Sequence, residues 1–132
     1  MTQEDKQLLL KDLSARLSYH PVLHIDIEGN YEDEYLYGFR ENGGKFIIND
    51  AYYIEEVKPY LRPMSSMNDE EIKEFTSIHE NVFVAGKNIY TAILGIDSIN
   101  WLLEHHFDFM GLIPKGLAIE VTENNNPYEN NN

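Results

Sequence analysis

Cysteine is absent from this chain. That excludes disulfides, thiolate nucleophiles, iron–sulfur ligation and Cys-based zinc sites together. Cations are scarce: 10 Lys or Arg stand against 23 Asp or Glu in 132 residues, a formal net charge of −13. No two cations are adjacent, and affinity for a phosphate backbone comes from clustered ones, so direct nucleic-acid binding is excluded. Anionic membrane surfaces are disfavoured for the same reason. Long apolar runs are missing too, none reaching the roughly 18 residues a spanning helix requires. The start, Met1 to Lys6, is acidic where a signal peptide would be basic, and Leu8-Leu9-Leu10 is too short for its apolar stretch. These negatives predict a cytoplasmic protein without a membrane partner.

The chain is nonetheless rich in groups that build a core. Hydrophobic residues make up 42% and aromatics 12%, with 9 Tyr, 6 Phe and one Trp, too many for an acidic disordered chain. The length fits one domain, expected over 1–122 with an Asn-rich tail over 123–132. Residues 2–17 read as an amphipathic helix capped by Thr2 with Asp5 in a capping-box position. Leu9, Leu10, Leu13 and Leu17 share one face, and Lys6, Lys11, Asp12 and Arg16 are assigned to the other.

From Val22 the period drops to two, the pattern of a half-buried strand. Gly29-Asn30 signals a turn, 34–40 reads as a second strand, and Asn42-Gly43 is a hairpin signal. Residues 45–49 and 52–57 complete a local antiparallel meander needing no long crossover. Pro59 and Pro63 hold 58–63 extended. A second helix follows with Ser66 as cap and Ile72, Phe75 and Ile78 or His79 as its apolar stripe. Residues 82–84 and 89–94 read as strand or irregular. Asp97 or Ser98 caps a third helix over 99–107, with Ile99, Leu102, Leu103 and His106 on one side and Trp101 flanking them. Residues 117–121 suit a final strand. The Asn-rich tail lacks any periodicity and is expected to be disordered. The fold class expected is α+β, an antiparallel meander packed by the N-terminal helix and two later helices.

Chemistry-bearing clusters are few. Glu104, His105, His106 and Asp108 combine imidazoles with carboxylates and form the candidate metal set of an alternative, metal-dependent enzyme. Adjacent histidines on a helix point about 100° apart, which argues against both facing one ion. Their simpler role is to complement the negative end of the helix. His20 and His24, if both on a strand, lie about 13 Å apart. The acidic ladder Asp26, Glu28, Asn30, Glu32, Glu34 fails as a calcium loop: an EF-hand counted from Asp26 requires Gly and Glu where Tyr31 and Tyr37 stand. Asn42-Gly43-Gly44-Lys45 lacks the spacing and the hydroxyl residue of a phosphate loop, and no glycine-flanked Ser nucleophile occurs. Catalytic residues are therefore unassigned and no cofactor is predicted, so the balance leans away from an enzyme. What remains is a surface: Asp26, Glu28, Tyr31, Glu32, Asp33, Glu34, Tyr35 and Tyr37, where exposed Tyr among carboxylates suits a basic protein partner.

Three blocks carry a resemblance. They are Glu4-Asp5-Lys6-Gln7-Leu8-Leu9-Leu10-Lys11-Asp12-Leu13; then Lys58-Pro59-Tyr60-Leu61-Arg62-Pro63-Met64-Ser65-Ser66-Met67 with its acidic helix to Phe75; and finally the stretch from Trp101-Leu102-Leu103-Glu104-His105-His106-Phe107-Asp108 through Lys115-Gly116-Leu117-Ala118. Together they resemble a family of small uncharacterised proteins of gut Bacteroidales, their phages and mobile elements. The resemblance implies a bacterial or phage setting and transfers no activity. The expected function is a non-enzymatic, acidic protein-interaction module, a phage or mobile-element accessory protein. An inhibitor mimicking nucleic acid through its carboxylates is a variant of the same idea. A structural or oligomerising protein is a further alternative.

Overall fold

The structure, a computed structural model, describes residues 1–78, 82–85, 88–91 and 96–129. Thr2 and Asp5 exchange reciprocal side-chain to backbone hydrogen bonds, the expected capping box, and start α1 (Gln3–Arg16). Its inward stripe is not the one expected. Asp12 and Arg16, assigned to the outer face, are fully buried beside Leu9 and Leu13, whereas Leu10 and Leu17 are half-buried. The positions 9, 12, 13 and 16 keep helical spacing. Polarity alone misplaced two of them, because the charges neutralise each other: Arg16 Nε lies 2.6 Å from an Asp12 carboxylate oxygen.

Two hairpins follow, each turning on residues with positive φ at both central positions, the turn whose twist matches a hairpin. Glu28 (53°) and Gly29 (88°) join β1 (Val22–Ile27) to β2 (Asn30–Tyr35). Gly43 (60°) and Gly44 (82°) join β3 (Phe39–Asn42) to β4 (Lys45–Ile48). The single strand expected over 34–40 is thus split. Leu36 leaves β2 to enter the core fully buried, and β3 begins a different sheet. A two-residue β5 (Tyr52–Tyr53) pairs with β4, and a 3-10 turn (Ile54–Glu56) leads into β6 (Val57–Leu61).

The sheets also correct the purely local meander. β6 returns past the β3-β4-β5 sheet to pair with β1, and after α2 (Asp69–Ile78), β7 (Val82–Ala85), β8 (Asn88–Thr91) and α3 (Ile96–Glu104), β9 (Ile119–Glu120) joins β6 in parallel. The orders are β2-β1-β6-β9, β3-β4-β5 and β7-β8. A parallel neighbour needs a crossover, supplied here by the helical segments. The fold is α+β, with antiparallel hairpins packed by an N-terminal helix and later helices. Among the described residues no helix is long and apolar enough to cross a membrane.

The main core joins Leu9 and Leu13 of α1 to Leu23, Ile25, Val57 and Leu61 on one face of the larger sheet, with Ile48 and Ile54. A second cluster gathers Met67, Phe75, Trp101, Leu102 and Phe107 under α2 and α3. Asn68, not Ser66, caps α2: its side chain accepts the Glu71 N–H (2.8 Å) while Glu71 accepts the Asn68 N–H (3.0 Å). Trp101, expected to flank α3, lies inside, its indole N–H donating to Glu74 at 2.8 Å. The described helix begins at Ile96, ahead of the Asp97 or Ser98 cap expected; of the two stretches read as strand or irregular, 82–84 and 89–91 lie in β7 and β8, and 92–94 falls outside the described residues.

Residues 130–132 of the Asn-rich tail lie outside the described residues, while Tyr128 within the tail is docked on the sheet. The Tyr128 hydroxyl accepts the Val22 N–H at 3.0 Å and donates to the Tyr60 carbonyl at 2.7 Å. Continuing the β1–β6 register (Leu23 opposite Pro59, His24 opposite Lys58) places Val22 opposite Tyr60. The phenol thus stands inside the next rung, bridging a donor and an acceptor that would otherwise bond directly.

Candidate interaction surface

Five of the eight acids and tyrosines singled out from the sequence, Tyr31 to Tyr35, lie on β2, an edge strand of the larger sheet with β1 as its one neighbour among the described residues; Asp26, Glu28 and Tyr37 flank it on β1, in the turn and just past its end. Alternation divides its side chains. Tyr31, Asp33 and Tyr35 lie opposite Asp26, His24 and Val22 and share the outer face, whereas Glu32 and Glu34 lie opposite Ile25 and Leu23 on the side of the core. Tyr31, Tyr35 and Tyr37 are 68%, 62% and 63% exposed, which leaves most of each ring in water. Three exposed aromatics within seven residues are not needed by the core; a core-building role would have buried them.

Among the described residues each acid of the cluster except Glu28 has a partner. Asp26 accepts the Gly29 N–H (3.0 Å) and so fastens the hairpin turn, in which Glu28 occupies a left-handed position. Glu32 and Glu34 both take the Tyr52 hydroxyl from β5. These two carboxylates hold the phenol proton, raising the Tyr52 pKa above its ordinary 10, and the bridge ties the edge strand to the second sheet. On the outer face Asp33 accepts from the Tyr60 hydroxyl at 3.1 Å and lies 3.4 Å from the His24 ring nitrogen. Burial, then the Asp33 carboxylate, pushes Tyr60 up to about 12. His24 packs against the Tyr31 ring at 5.1 Å and the Tyr60 ring at 6.0 Å. The result is a fixed acidic, aromatic face, not a set of independent surface side chains.

Asn49 completes it, though the sequence pattern placed it only at the end of the strand expected over 45–49. Held left-handed at φ 53° and 3% exposed, it donates its amide N–H to the Tyr35 carbonyl (2.7 Å) and accepts the Tyr37 N–H (2.9 Å). An amide that both gives to residue 35 and takes from residue 37 does what a neighbouring strand would do there.

The candidate metal set is dispersed. Among the described residues no group of three His, Asp or Glu is placed to hold a metal ion. The two histidines face different neighbours, as their adjacency predicts: His105 stacks on Trp101 at 4.1 Å and His106 on Tyr128 at 3.8 Å. His106 closes α3 from a left-handed position (φ 62°), its N–H on Leu103 and the next N–H, of Phe107, on Leu102, which is the Schellman arrangement. Burial first, then the Arg16 charge, lowers its pKa to about 4, so the ring is neutral at pH 7. Both Asp108 oxygens are occupied by the backbone N–H groups of Leu112 (2.8 Å) and Ile113 (2.9 Å). Glu104 is exposed at the rim of an open cleft of about 400 Å³ that His105, His106, Arg62, Asn126 and Tyr128 also line. Its one guanidinium, Arg62, is held in a bidentate grip by Glu71 at 2.7 and 2.8 Å. Burial raises the Glu71 pKa, but Arg62 and the Asn68 N–H outweigh it and leave the carboxylate below its usual range. His20 and His24 are likewise apart in role, since the His20 ring nitrogen faces the Leu36 carbonyl at 3.0 Å. No family model matches the chain, and neither a curated protein nor a solved structure does.

Proposed function

We propose that this chain is a non-catalytic protein-binding domain whose acidic, tyrosine-bearing edge takes a basic partner. In keeping with the resemblance of its sequence blocks, we assign it to the accessory proteins of a bacterium, phage or mobile element, acting in the cytoplasm. The observation that carries the reading is the exposure of Tyr31 and Tyr35 on β2 and of Tyr37 just beyond it, each above 60%, beside Glu32, Asp33 and Glu34 of the same strand. Tyrosine offers large contact area at little rotamer cost, and a carboxylate-rich surround steers a cationic protein toward it.

Site-specific photo-crosslinking in the native host tests this. A benzoyl-phenylalanine placed at Tyr35 is expected to capture one defined protein, and the same group at exposed Glu70 on α2 is not. Glu32→Lys with Glu34→Lys should abolish the capture. Equal capture from both positions, or none from 31, 35 and 37, would defeat the proposal.

A further inference from the structure

We infer that the partner binds by adding a strand: an extended, lysine- or arginine-rich segment pairs with the free edge of β2. The inference rests on the functional reading above and specifies its mode. The β1–β2 turn closes on Ile27 opposite Asn30 with two residues between, so that pair carries the ladder hydrogen bonds, as do Ile25 with Glu32 and Leu23 with Glu34. The Leu36 N–H donating to the Pro21 carbonyl at 2.8 Å continues the same alternation. The backbone groups of Tyr31, Asp33 and Tyr35 therefore point away from β1. The Tyr35 carbonyl is taken by the Asn49 amide, which also takes the outward Tyr37 N–H. Asn49 thus builds one artificial rung at the end of the edge and shows that it accepts partners along this line. Among the described residues, the N–H and C=O of Tyr31 and Asp33 and the N–H of Tyr35 have no such partner. All three residues are exposed.

Charge decides the occupant. A second copy of this chain would set Glu32, Asp33 and Glu34 against the same three acids, and like charges directly opposite are destabilising. A cationic strand meets the reverse: carboxylates on both faces of β2 and two aromatic faces, Tyr31 and Tyr35, for cation–π contact. Six residues of β2, about 20 Å at the usual rise, match a segment of similar length.

Fluorescence anisotropy with a blocked eight-residue peptide alternating Lys with Val or Thr tests the inference on the unmodified protein in about 50 mM salt. Two further peptides carry N-methyl groups on alternate amides, one on the odd positions and one on the even. An added strand turns one set of amides to β2 and the other to water. One isomer should therefore bind like the parent, and the other should be weaker by at least about tenfold, the equivalent of one or two lost hydrogen bonds. Amide exchange should slow at Tyr31, Asp33 and Tyr35 on binding of the parent, with Glu32 and Glu34 unchanged. Equal binding of the two isomers, weak or tight, overturns strand addition while leaving the basic-partner reading intact. Failure of the parent peptide to bind at all overturns both.

Discussion

His106 combines four properties in one residue. It terminates α3 in a left-handed conformation, stacks on Tyr128, gives its carbonyl to the Arg62 N–H at 2.8 Å and stays neutral. Its Nδ1 has no hydrogen-bond partner among the described residues. Charging that ring means desolvating an imidazolium beside a buried guanidinium, so its pKa falls to about 4 from 6.5. The unfolded chain takes up the proton first. Stability from this group is therefore full above about pH 6.5 and is lost as pH falls toward 4, by an amount on the order of 2 kcal/mol after allowing for partial solvent contact. Urea midpoints at pH 7 and pH 4.5 should show the loss. His106→Gly keeps the left-handed position available and should flatten that part of the pH profile. An unchanged slope in the variant would remove His106 as its source.

At the scale of the element, α1 carries its instability and its remedy on one stripe. Arg16 donates to Asp12 from both Nε and Nη2 and to the Phe107 carbonyl at 2.7 Å, while its Nη1 finds no hydrogen-bond partner among the described residues. Burial raises the Asp12 pKa even against the pull of Arg16. Arg16→Met alone should cost about 3–5 kcal/mol, because it strands a buried carboxylate. Asp12→Leu with Arg16→Met should restore most of that loss, since an apolar pair of similar volume needs no desolvation. A denaturant double-mutant cycle measures the difference, and additive effects would contradict it. The same stripe explains what the sequence concealed. Capping by Thr2, the Gly29 and Gly43 turns and the apolar positions of β1 follow from local chemistry and were readable. The burial of Asp12 and Arg16 depends on Phe107, 91 residues from Arg16. The break after Tyr35 depends on Asn49, which no alternation of Tyr35, Tyr37 and Phe39 reveals. Tyr31, Tyr35 and Tyr37 stand out by residue type and are exposed. The contacts of His24 with Tyr31, of Asn49 with the Tyr35 and Tyr37 backbone, and of Tyr52 and Tyr60 with the neighbouring acids are tertiary and were invisible.

On the scale of the whole molecule, elements distant in sequence meet along β6. It pairs with β1 on one side and β9 on the other, and the Arg62 N–H and carbonyl bond to His106 and Asp108 just beyond it. Pro59 is tolerated within β6 because it stands opposite Leu23, between the hydrogen-bonded positions of the β1 ladder, so its missing N–H costs that ladder nothing. Tyr128→Phe keeps the ring against His106 but removes the hydroxyl from the Val22–Tyr60 rung. It should destabilise by about 1–3 kcal/mol, the cost of leaving buried backbone groups unpaired. A chemical denaturation midpoint equal to that of the wild type would mean the strands close the rung without it.

That phenol also sets an order of events. Val22 and Tyr60 wait for a side chain made 106 residues after the first of them and 68 after the second. The pairs Leu23–Pro59, His24–Lys58 and Ile25–Val57 need nothing made later than Pro59, whereas the bridged rung beside them cannot take this form until residue 128 has been added.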